Sequence, residues 1–178
     1  MDSINKNQQE NNHEDLQQTA AAKRIVEMVK QSKSCFFCTQ KAISPSLGVR
    51  PMSIQKSDED GTLWFLSSND SHKNAEILED NFVKLFFQGS AHSDFLYLTG
   101  HASISEDPSV IHDLWDPLLK TWFTEGINDP RISVIKVEPS EGYYWDTKHN
   151  MAIGLIKRVA GAIMGKTLDD SIEGKLNV

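Results

Sequence analysis

GVRPMSIQKSDEDGTLWFLSSNDSHK, residues 48–73, alternates in character as two β-strands would, Val49–Lys56 and Thr62–Ser67, joined by the acidic turn SDEDG. A hydroxyl-rich turn follows and opens a helix near Asn74. Along the first strand Arg50, Met52 and Ile54 share one face, and Pro51, Ser53 and Gln55 share the other. Proline gives up a ladder hydrogen bond, so Pro51 belongs at a sheet edge or beside something that is not a strand. A flat ring lying against the backbone at Pro51 and Met52 would suit that edge.

The end of this stretch gathers donors. A helix entrance offers unpaired backbone N–H groups and the positive end of the helix dipole, both of which favour an anion. Ser67, Ser68 and Ser71 add hydroxyls, Lys73 a mobile ammonium and Arg50 a planar fork suited to phosphate oxygens, with His72 beside them. A phosphate is the ligand these residues fit best. The plainer alternative is that Asp70 or Ser71 simply caps the helix while His72 and Lys73 are solvated.

Outward from this stretch, residues 1–13 are rich in Asn, Gln and Glu and are expected to form a disordered arm. Asp15–Lys33 carries Leu16, Ala20, Ile25, Val26 and Val29 at helical spacing, predicting an amphipathic helix over the sheet. Cys35–Gln40 reads as a strand, which puts Cys35 and Cys38 on opposite faces and argues against a shared metal or disulfide. Phe82–Gln88 is a strongly apolar strand, and Asp94–Ser105 a long one interrupted at Gly100, where a bend or bulge is expected. Asp107-Pro108 and Asp116-Pro117 are successive helix starts, leading into an aromatic face of Leu114, Trp115, Leu118, Trp122 and Phe123. That face suits the core, a partner subunit or the edge of a cofactor. Arg131–Glu138 and Glu141–Asp146 read as the last strands, and Met151–Met164 as an apolar helix followed by a tail without a clear signal.

The 178 residues suffice for one substantial core, and 39% hydrophobic with 24% charged residues is ordinary for a globular chain. A formal charge of -7 argues against a nucleic-acid partner. No apolar run suggests a signal peptide or a membrane span, so a cytoplasmic protein is expected. Ser53-Ile-Gln-Lys56 imitates S-x-x-K, a motif that needs a helix, and His92, His101 and His112 match no zinc spacing.

Arg-Pro-Met on a strand, Leu-Trp-Phe-Leu-Ser, Ser-His-Lys, the helix ending Glu79-Asp80-Asn81 and the strand Val83–Phe87 occur in order. Gly100-His101-Ala102, Leu114-Trp115-Asp116-Pro117, Trp122-Phe123, Asp129-Pro130 and Tyr144-Trp145-Asp146 continue the series. This order resembles the flavin-binding split-barrel proteins related to pyridoxamine 5′-phosphate oxidase, and most closely the general stress protein 26-like branch.

The resemblance implies a mainly β fold with flanking helices: an FMN-binding split β-barrel, Greek-key-like and homodimeric, over residues 14–150. Residues 151–178 would pack as a helix and tail on the barrel or the partner. Arg50, Ser67, Ser71, His72 and Lys73 fall on the family's phosphate and ribityl positions. Pro51, Met52 and Ser53 match the strand beside the flavin ring, Leu66 precedes the phosphate-binding serine, and Trp145 matches a tryptophan that reaches the flavin from the other subunit. FMN is the implied cofactor, with FAD or a deazaflavin as variants.

The implied function is a flavin-dependent oxidoreductase acting on a small molecule, with flavin storage or sensing as the alternative. The oxidases' substrate-binding Arg-x-His-x-Arg is not kept in DTKHNMAIGL, where only His149 is similar, which argues against vitamin B6 as substrate. Phe95 or a neighbour stands where those enzymes have a flavin-contacting glutamine.

Overall fold

The computed structural model describes residues 12–41, 48–90, 94–147 and 171–178. The elements in order are β1 (Leu16–Gln17), α1 (Gln18–Ser32), β2 (Ser34–Thr39), β3 (Val49–Ser53), β4 (Lys56–Ser57), β5 (Leu63–Ser68), α2 (His72–Glu79), β6 (Phe82–Gln88), β7 (Phe95–Ser105), α3 (Pro108–Leu114), two 3₁₀ turns (Pro117–Thr121 and Gly126–Asn128), β8 (Ile132–Thr147) and β9 (Ser171–Asn177). One sheet runs β1-β9-β8-β7-β6-β2-β3, with β5 laid against β8 and β4 against β5. The sheet is mainly antiparallel, and its path is open at β3 rather than laddered into a closed barrel.

The expected hairpin is divided between two neighbours. Val49–Ser53 ladders with β2, pairing Pro51 with Phe36 and Arg50 with Phe37. At Ile54 the chain changes sides: Ile54 N–H donates to the Lys33 carbonyl at 3.0 Å, and Gln55 N–H donates to the Trp64 carbonyl at 2.8 Å. Only Lys56–Ser57 then pairs with β5. Pro51 therefore stands on an edge strand, the one place where its missing N–H costs no ladder bond.

The core follows from alternation. Phe37, Leu63, Phe65, Val83, Leu85, Leu96, Leu98, Ile135 and Val137 face inward beneath α1, which buries Ala21, Ala22, Ile25, Met28 and Val29. Ala20 is exposed and Val26 only partly covered, so the buried stripe of the helix is rotated from the expected one. Phe37 meets Phe65 edge to face at 5.5 Å. A second cluster, Leu66, Ile111, Leu114, Phe123, Ile132 and Val134, lies on the other face of β5. Being covered on both faces explains why LWFL is an unbroken apolar run.

Gly100 sits at a register shift between β7 and β8, where a Cβ would run into the Glu138 carbonyl oxygen and Pro139 backbone. Cys35 is buried, its thiol pushed up to about 12 by burial, while Cys38 is half-buried on the opposite face and both are free.

Both ends depart from expectation. Ser171–Asn177, which carried no strand signal, pairs antiparallel with Glu141–Thr147 of β8. On the far side of β9, Leu16 and Gln17 pair in parallel with Leu176 and Asn177, and His13 bridges to Glu173. Asn12 and His13 thus belong to the fold, not to an arm, and Asn12 is buried. Residues 1–11, the helix expected over Met151–Met164, His92 and His149 lie outside the described residues. No helix among the described residues is long and apolar enough to cross a membrane.

Candidate functional site

The turn after β5 does what its hydroxyls suggest. Ser71 caps α2, its Oγ accepting from Asn74 N–H at 3.3 Å, and also lines a cavity of about 580 Å³. The Lys73 ammonium donates to Ser67 Oγ and, at 3.4 Å, to Ser71 Oγ. Behind these groups Ser67 Oγ donates to Asn74 Oδ1 at 2.8 Å, Asn74 Nδ2 donates to Ser133 Oγ at 2.8 Å, and Ser133 Oγ donates to the Ser67 carbonyl at 3.1 Å. Asn74 and Ser133 are buried. A fully connected network of this kind fixes hydroxyl positions more firmly than isolated serines would be fixed.

Lys73 is buried, with 8% of its surface exposed. Burial, and then the nearby Arg50 charge, bring its ammonium down to about 8, while Glu76 pulls the other way. The carboxylate of Glu76 is already bonded by Arg50 and Thr39, so Lys73's own hydrogen bonds go to serine hydroxyls.

Pro51, Met52 and Ser53 form one wall of the cavity, Leu66, Ser67, Ser68, Ser71 and Lys73 its polar end, and Leu119, Trp122, Phe123 and Arg131 the opposite wall. A second cavity of about 840 Å³ adjoins it across Ser34 and Pro51. Its floor is aromatic: Phe36, Phe86 and Tyr97 stand in register across β2, β6 and β7, with Trp145 on β8. Phe86 lies 5.0 Å from Tyr97, and Tyr143 4.7 Å from Trp145, between ring centroids. Phe36, Phe86 and Trp145 are 58%, 44% and 44% exposed.

A family model described as pyridoxamine 5′-phosphate oxidase like matches residues 20–169. The chain belongs to that family. It is 29% identical over 127 residues to protein bli-3 of Neurospora crassa, a match taking in 66% of this chain and 60% of that protein's length. Among solved structures it resembles a protein assigned as general stress protein 26 from Jannaschia sp. CCS1, with a TM-score of 0.73 and 16% identity over 87% of this chain and 96% of that one. The general stress FMN/FAD binding protein of Xanthomonas citri gives a TM-score of 0.59 and 20% identity over 68% of this chain and 85% of that one. General stress protein 26 of Bacillus anthracis gives 0.57 and 22%, over 69% and 92%. At these identities the solved structures speak for the fold, which they share with the family.

Within this pyridoxamine 5′-phosphate oxidase-like chain, Pro51, Met52, Ser53, Leu66, Ser67, Ser71 and Lys73 line one cavity. Arg50, His72 and Trp145 do not line it. The Arg50 fork is turned away: Nη2 donates to Glu76 Oε2 at 2.5 Å, and Nη1 to Thr39 Oγ1 at 2.9 Å and to the Gly48 carbonyl at 2.8 Å. Glu76 is fully buried, and a buried carboxylate needs a cation more than a solvated phosphate would. His72, the first residue of α2, is exposed because Lys73, Asn74, Glu76 and Ile77 take the inward positions of the helix. Trp145 stands over the aromatic cavity instead.

Thr39, Asn74, Glu76 and Ser133 were not singled out from sequence. For Glu76 a signal existed: with Lys73 and Ile77 facing inward, the residue at i+3 from Lys73 must face inward too. Ser133 could have been reached as the cross-strand partner of Ser67.

Proposed function

We propose that this protein binds FMN, its phosphate on Ser67, Ser71 and Lys73 and its ring along Pro51–Ser53, and works as an oxidoreductase on a small molecule. The observation that carries the reading is the buried Lys73 ammonium, aimed at two serine hydroxyls at the end of a cavity with an edge-strand proline in its wall. The donor set fits a phosphate monoester: the Lys73 ammonium, two hydroxyls that would trade their present bonds to Asn74 Oδ1 for the ligand, and a helix entrance. The Xanthomonas citri protein of the same fold, which binds FMN or FAD, supports the choice of flavin.

A bound flavin supplies the electron or hydride transfer, and the protein supplies position and electrostatics. Lys73 holds the anionic end. Pro51, which spends no N–H on a ladder, leaves a smooth edge for a planar ring, and Met52 and Leu66 exclude water beside it.

A homodimer belongs to the same reading. The exposed Phe36, Phe86 and Trp145, with the half-buried Tyr97 among them, form a large apolar patch for a chain carrying a charge of -7, and a second copy is the occupant we propose. Trp145 would then reach the partner's cradle rather than its own.

One preparation tests both parts. The purified protein, mixed with FMN and freed of excess by gel filtration, is expected to retain flavin absorbance between about 300 and 500 nm and to scatter light with twice its 20.0 kDa chain mass. A colourless protein would overturn the flavin site, and a coloured monomer would remove only the dimer. Retained flavin that no reduced nicotinamide bleaches and no acceptor reoxidises would replace the oxidoreductase with a binding or storage protein.

A further inference from the structure

The wall of the cradle opposite Pro51 holds Trp122 and Arg131, to which the phosphate assignment on Ser67, Ser71 and Lys73 gives no role. Asp116 caps the first 3₁₀ turn, its carboxylate accepting from Leu118 N–H at 2.8 Å. The Leu119 carbonyl then accepts from both Trp122 and Phe123 N–H, at 2.9 and 3.0 Å. This turn sends Phe123 into the second core, 6.4 Å from Trp115, and leaves the Trp122 indole 68% exposed at the cavity wall. The core does not need Trp122, since Phe123, Leu114 and Ile111 already fill it.

Arg131 stands at the phosphate end of the same wall. Its carbonyl accepts from Asn69 N–H at 2.8 Å, which fastens it to the turn between β5 and α2. Asp129, buried and held down to about 2 by hydrogen bonding to Arg131, takes Nε at 3.0 Å and Nη2 at 2.7 Å. That fixes the plane of the guanidinium and leaves donors of its five for another anion. A fixed cation next to the first phosphate position, with an exposed indole on the same wall, matches a second phosphate and a planar base.

We infer that Trp122 and Arg131 form an adenylate subsite, the base stacking on the indole and its phosphate reaching the guanidinium. The inference rests on the flavin reading above. Two carriers present an adenylate here: FAD, whose second half continues past the first phosphate, and a separate nucleotide visiting the FMN-loaded protein.

The test is a fluorescence titration of parent, Trp122→Ala, Trp122→Phe and Arg131→Gln with FMN and FAD, and of the FMN-loaded forms with ADP. If FAD is the carrier, Trp122→Ala weakens FAD about tenfold or more while FMN changes less than about twofold, and Trp122→Phe restores most of the loss. Arg131→Gln likewise weakens FAD more than FMN. If a separate nucleotide is the carrier, the FAD-to-FMN ratio holds, and ADP binding to the FMN-loaded parent disappears in Trp122→Ala. An unchanged FAD-to-FMN ratio together with ADP binding that is absent from the parent or unchanged in Trp122→Ala overturns the subsite while leaving the flavin cradle intact. A parent that binds no flavin overturns the reading on which it stands.

Discussion

Replacing Lys73 by alanine is expected to weaken FMN binding about ten- to a hundredfold, and combining it with Ser67→Ala to take the loss beyond roughly two decades, measured by flavin fluorescence titration at pH 7. The size follows from the contacts removed. A charge-assisted hydrogen bond contributes about 1.5–3 kcal/mol, and among the described residues Lys73 is the cation whose hydrogen bonds are given to the Ser67 and Ser71 hydroxyls. Lys73 also makes binding depend on pH in a direction that can be worked out. Its ammonium, lowered to about 8, is charged below that pH and neutral above it. A phosphate monoester becomes dianionic above about pH 6. The favoured pairing of dianion with ammonium therefore spans about pH 6 to 8. Above pH 8 the free protein must take up a proton to bind, so affinity falls by up to about tenfold per pH unit. Lys73→Arg keeps its charge throughout and should flatten this slope while retaining measurable affinity. A parent affinity that is level from pH 7 to 9.5 would show that Lys73 does not meet the phosphate.

What could be read from the residues was local and periodic. The strand around Val83–Phe87, the paired Asp-Pro helix starts, the edge position of Pro51 and the bulge at Gly100 each follow from a side-chain period or a backbone constraint of one or two residues. That Ser67, Ser71 and Lys73 come together was legible for the same reason, since they lie within a single strand-turn-helix.

What was not legible depends on distant partners. β9 has Gly174 at its centre and few β-branched residues, and it is a strand because Glu141–Thr147 on one side and Leu16–Gln17 on the other need partners. At Gly174 a Cβ would meet the Glu14 carbonyl, a constraint set by a residue far away in the chain. The helical spacing of Leu16 to Ala20 points to a helix, whereas the place of Leu16 opposite Leu176 is decided by β9. The planar fork of Arg50, on a strand beside the hydroxyl-rich turn, suits phosphate oxygens. The anion it finds is Glu76, twenty-six positions on, and only the packing of α2 against β2 brings the two together.

That pair carries the largest expected effect on folding. Glu76→Ala should lower stability by about 3–5 kcal/mol, read by urea unfolding as a lower midpoint with little change in slope. The carboxylate is fully buried and receives Arg50 at 2.5 Å and Thr39 at 2.6 Å, while the Arg50 side chain is only 18% exposed. Deleting the acid leaves a largely buried guanidinium facing a void, so the cost is the uncompensated charge rather than the pair's own net value. The same reasoning gives a second variant that behaves differently. Glu76→Leu with Arg50→Met removes both charges and keeps apolar volume, and should recover most of the loss, leaving Thr39 Oγ1 its bond to the Gly48 carbonyl at 3.2 Å. If instead the double variant is as unstable as Glu76→Ala, the penalty comes from misplacing α2, not from a stranded charge. If Glu76→Ala unfolds within about 0.5 kcal/mol of the parent, Arg50 is not committed to Glu76 in solution and is free to join Lys73 on the phosphate.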